Sequence, residues 1–273
     1  SSTSRGLGDV YKRQMYSSGT TGVPKCIVHG HGGTLLQHLK EHQLHTNISS
    51  GDRVFYFTTC SWMMWNWLVS ALATQATIML YDGSPSYPDD TVLWRFANDE
   101  QFTHFGTSAK YIETLMKNNV KPRANFKLKN LKTICSTGSP LSPESYDFIY
   151  KNIGPVHLAS ISGGTDIVSC FVLGIPTLPV RRGEIQGPGL GMAVEIWNDT
   201  GKVKRGRRGE LVCTKPFPSR PIKFWNDADR KKYYLAYFDR FKDVWAHGDF
   251  AEQTLDSGYI IPVSYTHLRA HET

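Results

Sequence analysis

Cysteine is scarce in the 273-residue sequence: Cys26, Cys60, Cys135, Cys170 and Cys213 are odd in number and never spaced as CxxC. That excludes a disulfide framework and a cysteine-rich zinc site, and leaves reduced core thiols as the reading. Long apolar runs are missing too. Nothing approaches the roughly 20 residues of a membrane-spanning helix, and no charged, apolar, small-residue signal opens the chain, so a cytoplasmic protein without a membrane span is expected. No internal repeat and no low-complexity linker appears. The net charge of +7 is spread over KPRANFKLK, VRRG, KVKRGRRG and DRKKYY, with no basic helical stripe interleaved with aromatics. No nucleic-acid partner is expected, and an anionic small substrate accounts for the excess. What remains is an ordinary composition, 40% hydrophobic and 20% charged, sufficient for one large or two smaller domains with a real core.

Apolar runs alternate with helix-like stretches over the first two thirds. Residues 53–57, 77–81, 103–105, 132–136 and 157–161 read as strands; residues 33–45, 62–73, 89–98, 108–118 and 142–151 read as helices. The last begins with Ser142 as N-cap, Pro143 in the first turn and Glu144 behind it. Alternation of this kind predicts a layered α/β unit with a mostly parallel sheet, over residues 15–175. Beyond residue 175 glycine and proline thicken, then MAVEIW and GELVCT read as short strands near the turn NDTGK. A smaller β-rich, barrel-like unit is expected over 176–262.

The stretch MYSSGTTGVPKC, residues 15–26, gathers hydroxyls, glycines and a lysine. Glycine lets backbone N–H groups converge on an anion, hydroxyls add donors and lysine adds charge, so a phosphate-binding loop is expected. It is not a Walker A loop, because Lys25 follows Gly22 by three residues and is itself followed by Cys26, which disfavours a P-loop NTPase. The bland alternative is a flexible surface turn, which the stiff Pro24-Lys25 end and the adjoining apolar IVHG argue against.

The ten residues from Tyr16 to Lys25 resemble the phosphate-binding signature of the adenylate-forming superfamily, which includes acyl-CoA synthetases, amino-acid adenylating domains and firefly luciferase. STGSPLSPES (136–145), ISGGTDI (161–167) and WAHGD (245–249) resemble later motifs of that superfamily in the right order, so that the likeness runs over residues 15–261. It implies the large N-terminal domain of such an enzyme, which uses ATP and Mg2+ to join a carboxylate to AMP and then passes the acyl group to coenzyme A. Ser17, Ser18, Gly19, Thr20, Thr21, Gly22 and Lys25 are then expected to hold the β- and γ-phosphates, and Gly138, Ser139 and Pro140 to back the adenine. Ser162, Gly163, Gly164 and Thr165 are expected at the nucleotide, with Thr165 near the α-phosphate, Asp166 facing Mg2+, and Asp249 on the ribose. Thr165, Asp166 and Lys25 are the candidate catalytic residues. Most of the superfamily has glutamate where this chain has Asp166. A capping role for Asp166 and a turn role for Asp249 are the plain alternatives.

Two further clusters stand out in the sequence. SWMMWNW (61–67) could be helix core, yet the superfamily places its acyl pocket here, with Trp62, Met63 and Met64 as wall and Cys60 as a neighbour. Acetate-activating relatives carry a tryptophan where this chain has Gly163, so Gly163 is expected to enlarge the pocket for a four-carbon keto acid such as acetoacetate, unless glycine serves a backbone turn. Another short acid, a nucleotide-binding segment without catalysis, and a luciferase-like oxygenase are the competing readings. HLKEHQLH places His38, His42 and His45 on one helix face, which could face a metal but reads as a solvated face beside Lys40 and Glu41. At the ends, residues 1–14 and 263–273 resemble translated adapter, and DVYKRQ is too polar for a strand covered on both faces. On that reading the chain is a fragment, lacking an N-terminal subdomain, a Gly-Arg turn (Ser264 stands at its arginine) and a lysine-bearing lid.

Overall fold

The structure, a computed structural model, describes residues 13–17, 25–203 and 205–262. Its strands in chain order are β1 (Arg13–Ser17), β2 (Lys25–His29), β3 (Arg53–Tyr56), β4 (Thr77–Met79), β5 (His104–Ser108), β6 (Thr133–Thr137), β7 (His157–Ser160), β8 (Ser162–Gly164), β9 (Ser169–Leu173), β10 (Gly187–Pro188), β11 (Val194–Trp197), β12 (Arg208–Cys213), β13 (Lys223–Phe224), β14 (Trp245–Gln253) and β15 (Tyr259–Ile260). The helices are α1 (His31–Lys40), α2 (Met63–Ser70), α3 (Val92–Asp99), α4 (Ala109–Lys117), α5 (Pro122–Asn125), α6 (Pro143–Asn152) and α7 (Lys231–Tyr237). A π-helical turn, Glu41–His45, prolongs α1, and a 3-10 turn, Ala71–Thr74, prolongs α2.

The expected parallel sheet is there, in the order β4-β3-β5-β6-β7, every neighbouring pair parallel. Strands β3, β5, β6 and β7 are buried over most of their length, with cores on both faces of the sheet. Successive side chains go to opposite faces: Phe55, Ile134 and Leu158 join one core with Leu93, Trp94, Ile112 and Ile149, while Val54, Tyr56, Cys135 and Ala159 join another with Met64 and Trp67. Gly106 in β5 makes room for the Tyr56 ring, which lies 2.0 Å from where a Cβ would stand. Helix α6 starts as its sequence predicts, Ser142 Oγ accepting from Ser145 N and Pro143 opening the first turn.

The β-rich part is also present: an antiparallel sheet β11-β12-β14-β15, with the bend after β11 closed by Asn198 Oδ1 accepting from Thr200 N and Lys202 N. The two parts interleave across the boundary expected at residue 175. β13 pairs with β2, and β10 pairs with β9. One core then joins Ile27, Ile167 and Phe171 to Ile196, Leu211 and Trp245. Arg13 and Gln14, placed in a tail by their polarity, pair with His29 and Val28 in β1. β1 is an edge strand of β1-β2-β13, where backbone pairing needs no apolar cover on both faces. Residues 1–12 and 263–273 lie outside the described residues.

The solvated histidine face is corrected. His38, His42, His45 and Glu41 are all buried, whereas Leu35, Leu36 and Leu44 on the same segment are exposed. The polar face packs inward because partners await it. His38 contacts Ser70 Oγ at 2.8 Å and Val168 O at 2.6 Å, His42 Nε2 contacts Ser70 Oγ at 2.9 Å, and His45 contacts Gly174 O at 2.8 Å while accepting from Leu190 N at 3.0 Å. These rings serve protein partners, and no set of three metal-ligating side chains occurs among the described residues. All five cysteines are unpaired; Cys135, Cys170 and Cys213 are core thiols, Cys26 is half-buried, and Cys60 is exposed rather than in the core.

His104, in the central strand β5, is buried between Thr103 Oγ1 (2.8 Å) and Thr46 O (3.0 Å). Burial brings its pKa down from 6.5 to about 4. The unfolded chain therefore takes up a proton below pH 6.5 that the folded chain refuses until about pH 4, so stability is full above pH 6.5 and falls across that window. The expected loss from this residue is roughly 3 kcal/mol by pH 4. Denaturant unfolding at pH 7.5 and 4.5 checks it, and His104→Gln should shrink the difference between the two.

Candidate functional site

The site lies past the carboxyl ends of β3, β6 and β7, where a parallel sheet opens its loops. β6 runs into Thr137, Gly138, Ser139 and Pro140; Gly138 takes a left-handed φ of 91°, and its missing Cβ would touch the Trp62 ring at 3.6 Å. β7 runs into β8 and the turn to β9, held by Thr137 Oγ1 donating to Ile161 O at 3.0 Å. Between these segments is a cavity of about 300 Å3 whose lining includes Trp62, Met63, Met64, Gly138, Ser139, Pro140, Ser162, Gly163, Gly164 and Thr165, together with Ser169, Cys170 and Asp249. Four segments singled out in the sequence, from 62 to 249, thus share one cavity.

Lys25 and Asp166 stand beside it, not in its wall. Lys25 Nζ is 2.8 Å from Asp166 Oδ1, and the Tyr237 hydroxyl, from α7, donates to that same oxygen at 2.5 Å. Lys25 also sits 4.9 Å over the Tyr237 ring, which stacks on Trp245 at 3.7 Å. Burial pushes the Asp166 carboxyl up, but His247, Lys25 and Tyr237 together outweigh it and hold it below its ordinary value, so it is an anion at neutral pH. Burial beside that anion raises the Tyr237 hydroxyl far above its usual range, fixing it as a donor. His29 reaches Thr165 O at 3.3 Å and Ser219 O at 3.2 Å; burial lowers it to about 4 and keeps it neutral.

Asp249 is carried by the long strand β14, its Oδ2 3.6 Å from His247 Nε2. The strand is irregular there: Gly248 has φ 90°, and its N–H donates at 2.6 Å to the buried Glu210 carboxylate, which pairs with Arg240. Arg240 in turn holds Asp199 at 2.8 Å. Glu210, Tyr237, His247 and His29 were missed in the sequence. Glu210 had a signal, a charged residue inside the apolar run GELVC; Tyr237 had none that set it apart from Tyr233 and Tyr234. Ser17 ends β1, while Ser18, Gly19, Thr20, Thr21 and Gly22 lie outside the described residues.

The family model of AMP-binding enzymes matches residues 14–220. The chain belongs to the AMP-binding enzyme family. Among members of that family, the chain is similar to acetoacetyl-coenzyme A synthetase of Rhizobium meliloti (strain 1021), 63% identical over 248 residues, which are 90% of this chain and 38% of that protein. Acetoacetyl-CoA synthetase of Gallus gallus is 56% identical over 90% of this chain and 37% of its own length. The solved structure of acetoacetyl-CoA synthetase from Streptomyces lividans superposes with a TM-score of 0.88 at 44% identity, covering 93% of this chain and 40% of that one. The chain therefore spans well under half the length of these AMP-binding relatives.

Gly163 lines the cavity with its backbone. A Cβ there would lie 2.1 Å from Ser169 O and 2.6 Å from Cys170 Cα, across the irregular β8–β9 pairing, so it would meet main chain that cannot move aside. Gly163→Ala is accordingly expected to cost ~3 kcal/mol or to prevent folding. Gly32→Ala, where nothing lies within 4 Å, is the control and should leave the melting temperature unchanged or slightly higher. Equal melting of the two variants would contradict the packing of β8 on β9.

Proposed function

We propose that this chain supplies the nucleotide and acyl site of an acetoacetate–CoA ligase, in which ATP and acetoacetate give acetoacetyl-adenylate and pyrophosphate, and coenzyme A then displaces AMP. The observation that carries the reading is the convergence of Trp62–Met64, Gly138–Pro140, Ser162–Thr165 and Asp249 on one cavity beside the Lys25–Asp166 pair. The high identity to acetoacetyl-CoA synthetases supports the choice of acid. Such chemistry is mostly positioning and charge neutralisation, which this arrangement provides.

Residues 17–25 hold the terminal phosphates, Lys25 with its charge; Thr165 lies at the α-phosphate; Gly138, Ser139 and Pro140 back the adenine; Asp249 takes the ribose hydroxyls. Trp62, Met63, Met64 and the Gly163 backbone enclose the acyl chain. Tyr237 and His247 keep Asp166 ionised and aimed. A single ionised carboxylate suits Mg2+, which keeps waters and takes most of its other ligands from phosphate oxygens, and so fits a cation arriving with the nucleotide rather than a standing metal centre. When bound, Mg2+ would neutralise phosphate charge; Asp166 is the residue that would hold it. We assign the protein to the cytoplasm; among the described residues no helix is long and apolar enough to cross a membrane.

The test is acid-dependent ATP–pyrophosphate exchange in a chimera, the matched 248 residues replacing their counterpart in the Rhizobium meliloti relative. Acetoacetate should drive exchange best in a panel with acetate, propionate and butyrate; a chimera driven best by another acid would overturn the substrate assignment. Lys25→Ala should lower turnover on the order of 100-fold with every acid alike, because the charge removed serves ATP. A loss confined to acetoacetate would place Lys25 at the acyl group instead.

A further inference from the structure

The buried Glu41 is not part of the cavity, yet it bonds two residues that line it and a third that sits just behind the lining. Its Oε1 accepts from Ser169 Oγ and from Cys170 N at 3.2 Å, and both Ser169 and Cys170 line the cavity. Its Oε2 accepts from Trp67 Nε1 at 3.0 Å. Trp67 is one turn along α2 from Met63 and Met64, which also line the cavity. Gln37, a turn before Glu41, adds a donor to Ser169 Oγ at 2.9 Å. Glu41, Gln37, Trp67, Ser169 and Cys170 are all buried, and the nearest cation is Lys40 Nζ at 3.7 Å.

Removing a carboxylate from water costs several kcal/mol, and well-packed apolar side chains commonly stabilise such a position as well or better. What an apolar residue cannot do is hold two separate elements at one spacing through directed hydrogen bonds. We infer that Glu41 is a positioning residue for acyl selectivity: it ties β9 to α2 and so fixes the distance between the walls that measure the acyl chain. This rests on the acyl-pocket reading above. Glu41 itself touches no group assigned to the nucleotide, although Ser169 and Cys170 pair with Gly164 and Gly163 across β8–β9; loosening the tie therefore changes which acids fit more than it changes ATP binding.

The experiment compares Glu41→Gln and Trp67→Phe in the chimera. Glutamine keeps the size but points an amide N–H₂ at one of the donors; phenylalanine removes the indole N–H that ties α2 together with part of the buried ring, while leaving the Glu41 carboxylate and its bonds to β9 in place. With Glu41→Gln, kcat/KM for acetoacetate should fall about tenfold or more relative to acetate, through KM for the acid. KM for ATP should stay within about twofold. Trp67→Phe should move the ratio the same way by less, and it decides the matter if Glu41→Gln does not fold. A parallel loss with all acids, an unchanged ratio, or an equal rise in KM for ATP would overturn the proposal. An unsubstituted chimera that prefers another short acid overturns the acetoacetate assignment alone, and the ratio is then read on that acid. A chimera that activates no acid overturns both.

Discussion

The contact on which the site depends is the ion pair of Lys25 and Asp166 with the Tyr237 hydroxyl on the shared oxygen. Lys25 opens β2, Asp166 follows β8, and Tyr237 closes α7, so one carboxylate joins segments more than 200 residues apart. A largely buried anion is costly unless its charge and lone pairs are met, and here a cation, a phenol and a nearby imidazole meet it. The same cluster is anchored in the core through the Tyr237–Trp245 stack. Loss of any partner would therefore disturb the meeting of three elements as well as a charge.

Interleaving makes that meeting possible. Had the β-rich part folded apart from the parallel sheet, Asp249 and Tyr237 would sit on a separate body. Instead β2 takes β13 as a neighbour and β9 takes β10. The Arg240–Glu210–Gly248 chain then sets the kink that presents Asp249 to the cavity. The inverted helix α1 belongs to the same economy: its polar face turns inward to serve β9 and α2, behind the cavity.

Much was legible in the sequence. Alternating apolar runs and helical stretches named each strand of the parallel sheet, and every helix around it except the short α5, to within a few residues, because period and capping are local properties of the chain. The motif residues that line the cavity were also visible, since glycine-rich and hydroxyl-rich loops are unusual in composition. The sequence determined which elements form, and which residue types gather in its loops. The tertiary structure alone decided their partners. Nothing local told His38, His42 and Glu41 that their face would meet Ser70, Trp67 and Ser169, because whether a polar helical face meets water or other polar groups depends on what packs there. For the same reason the sequence left Gly163 open between pocket space and a backbone need, and only the fold shows the Ser169 carbonyl 2.1 Å from its absent Cβ; Arg13 and Gln14 read as too polar for a strand covered on both faces, and β2 offers them an edge.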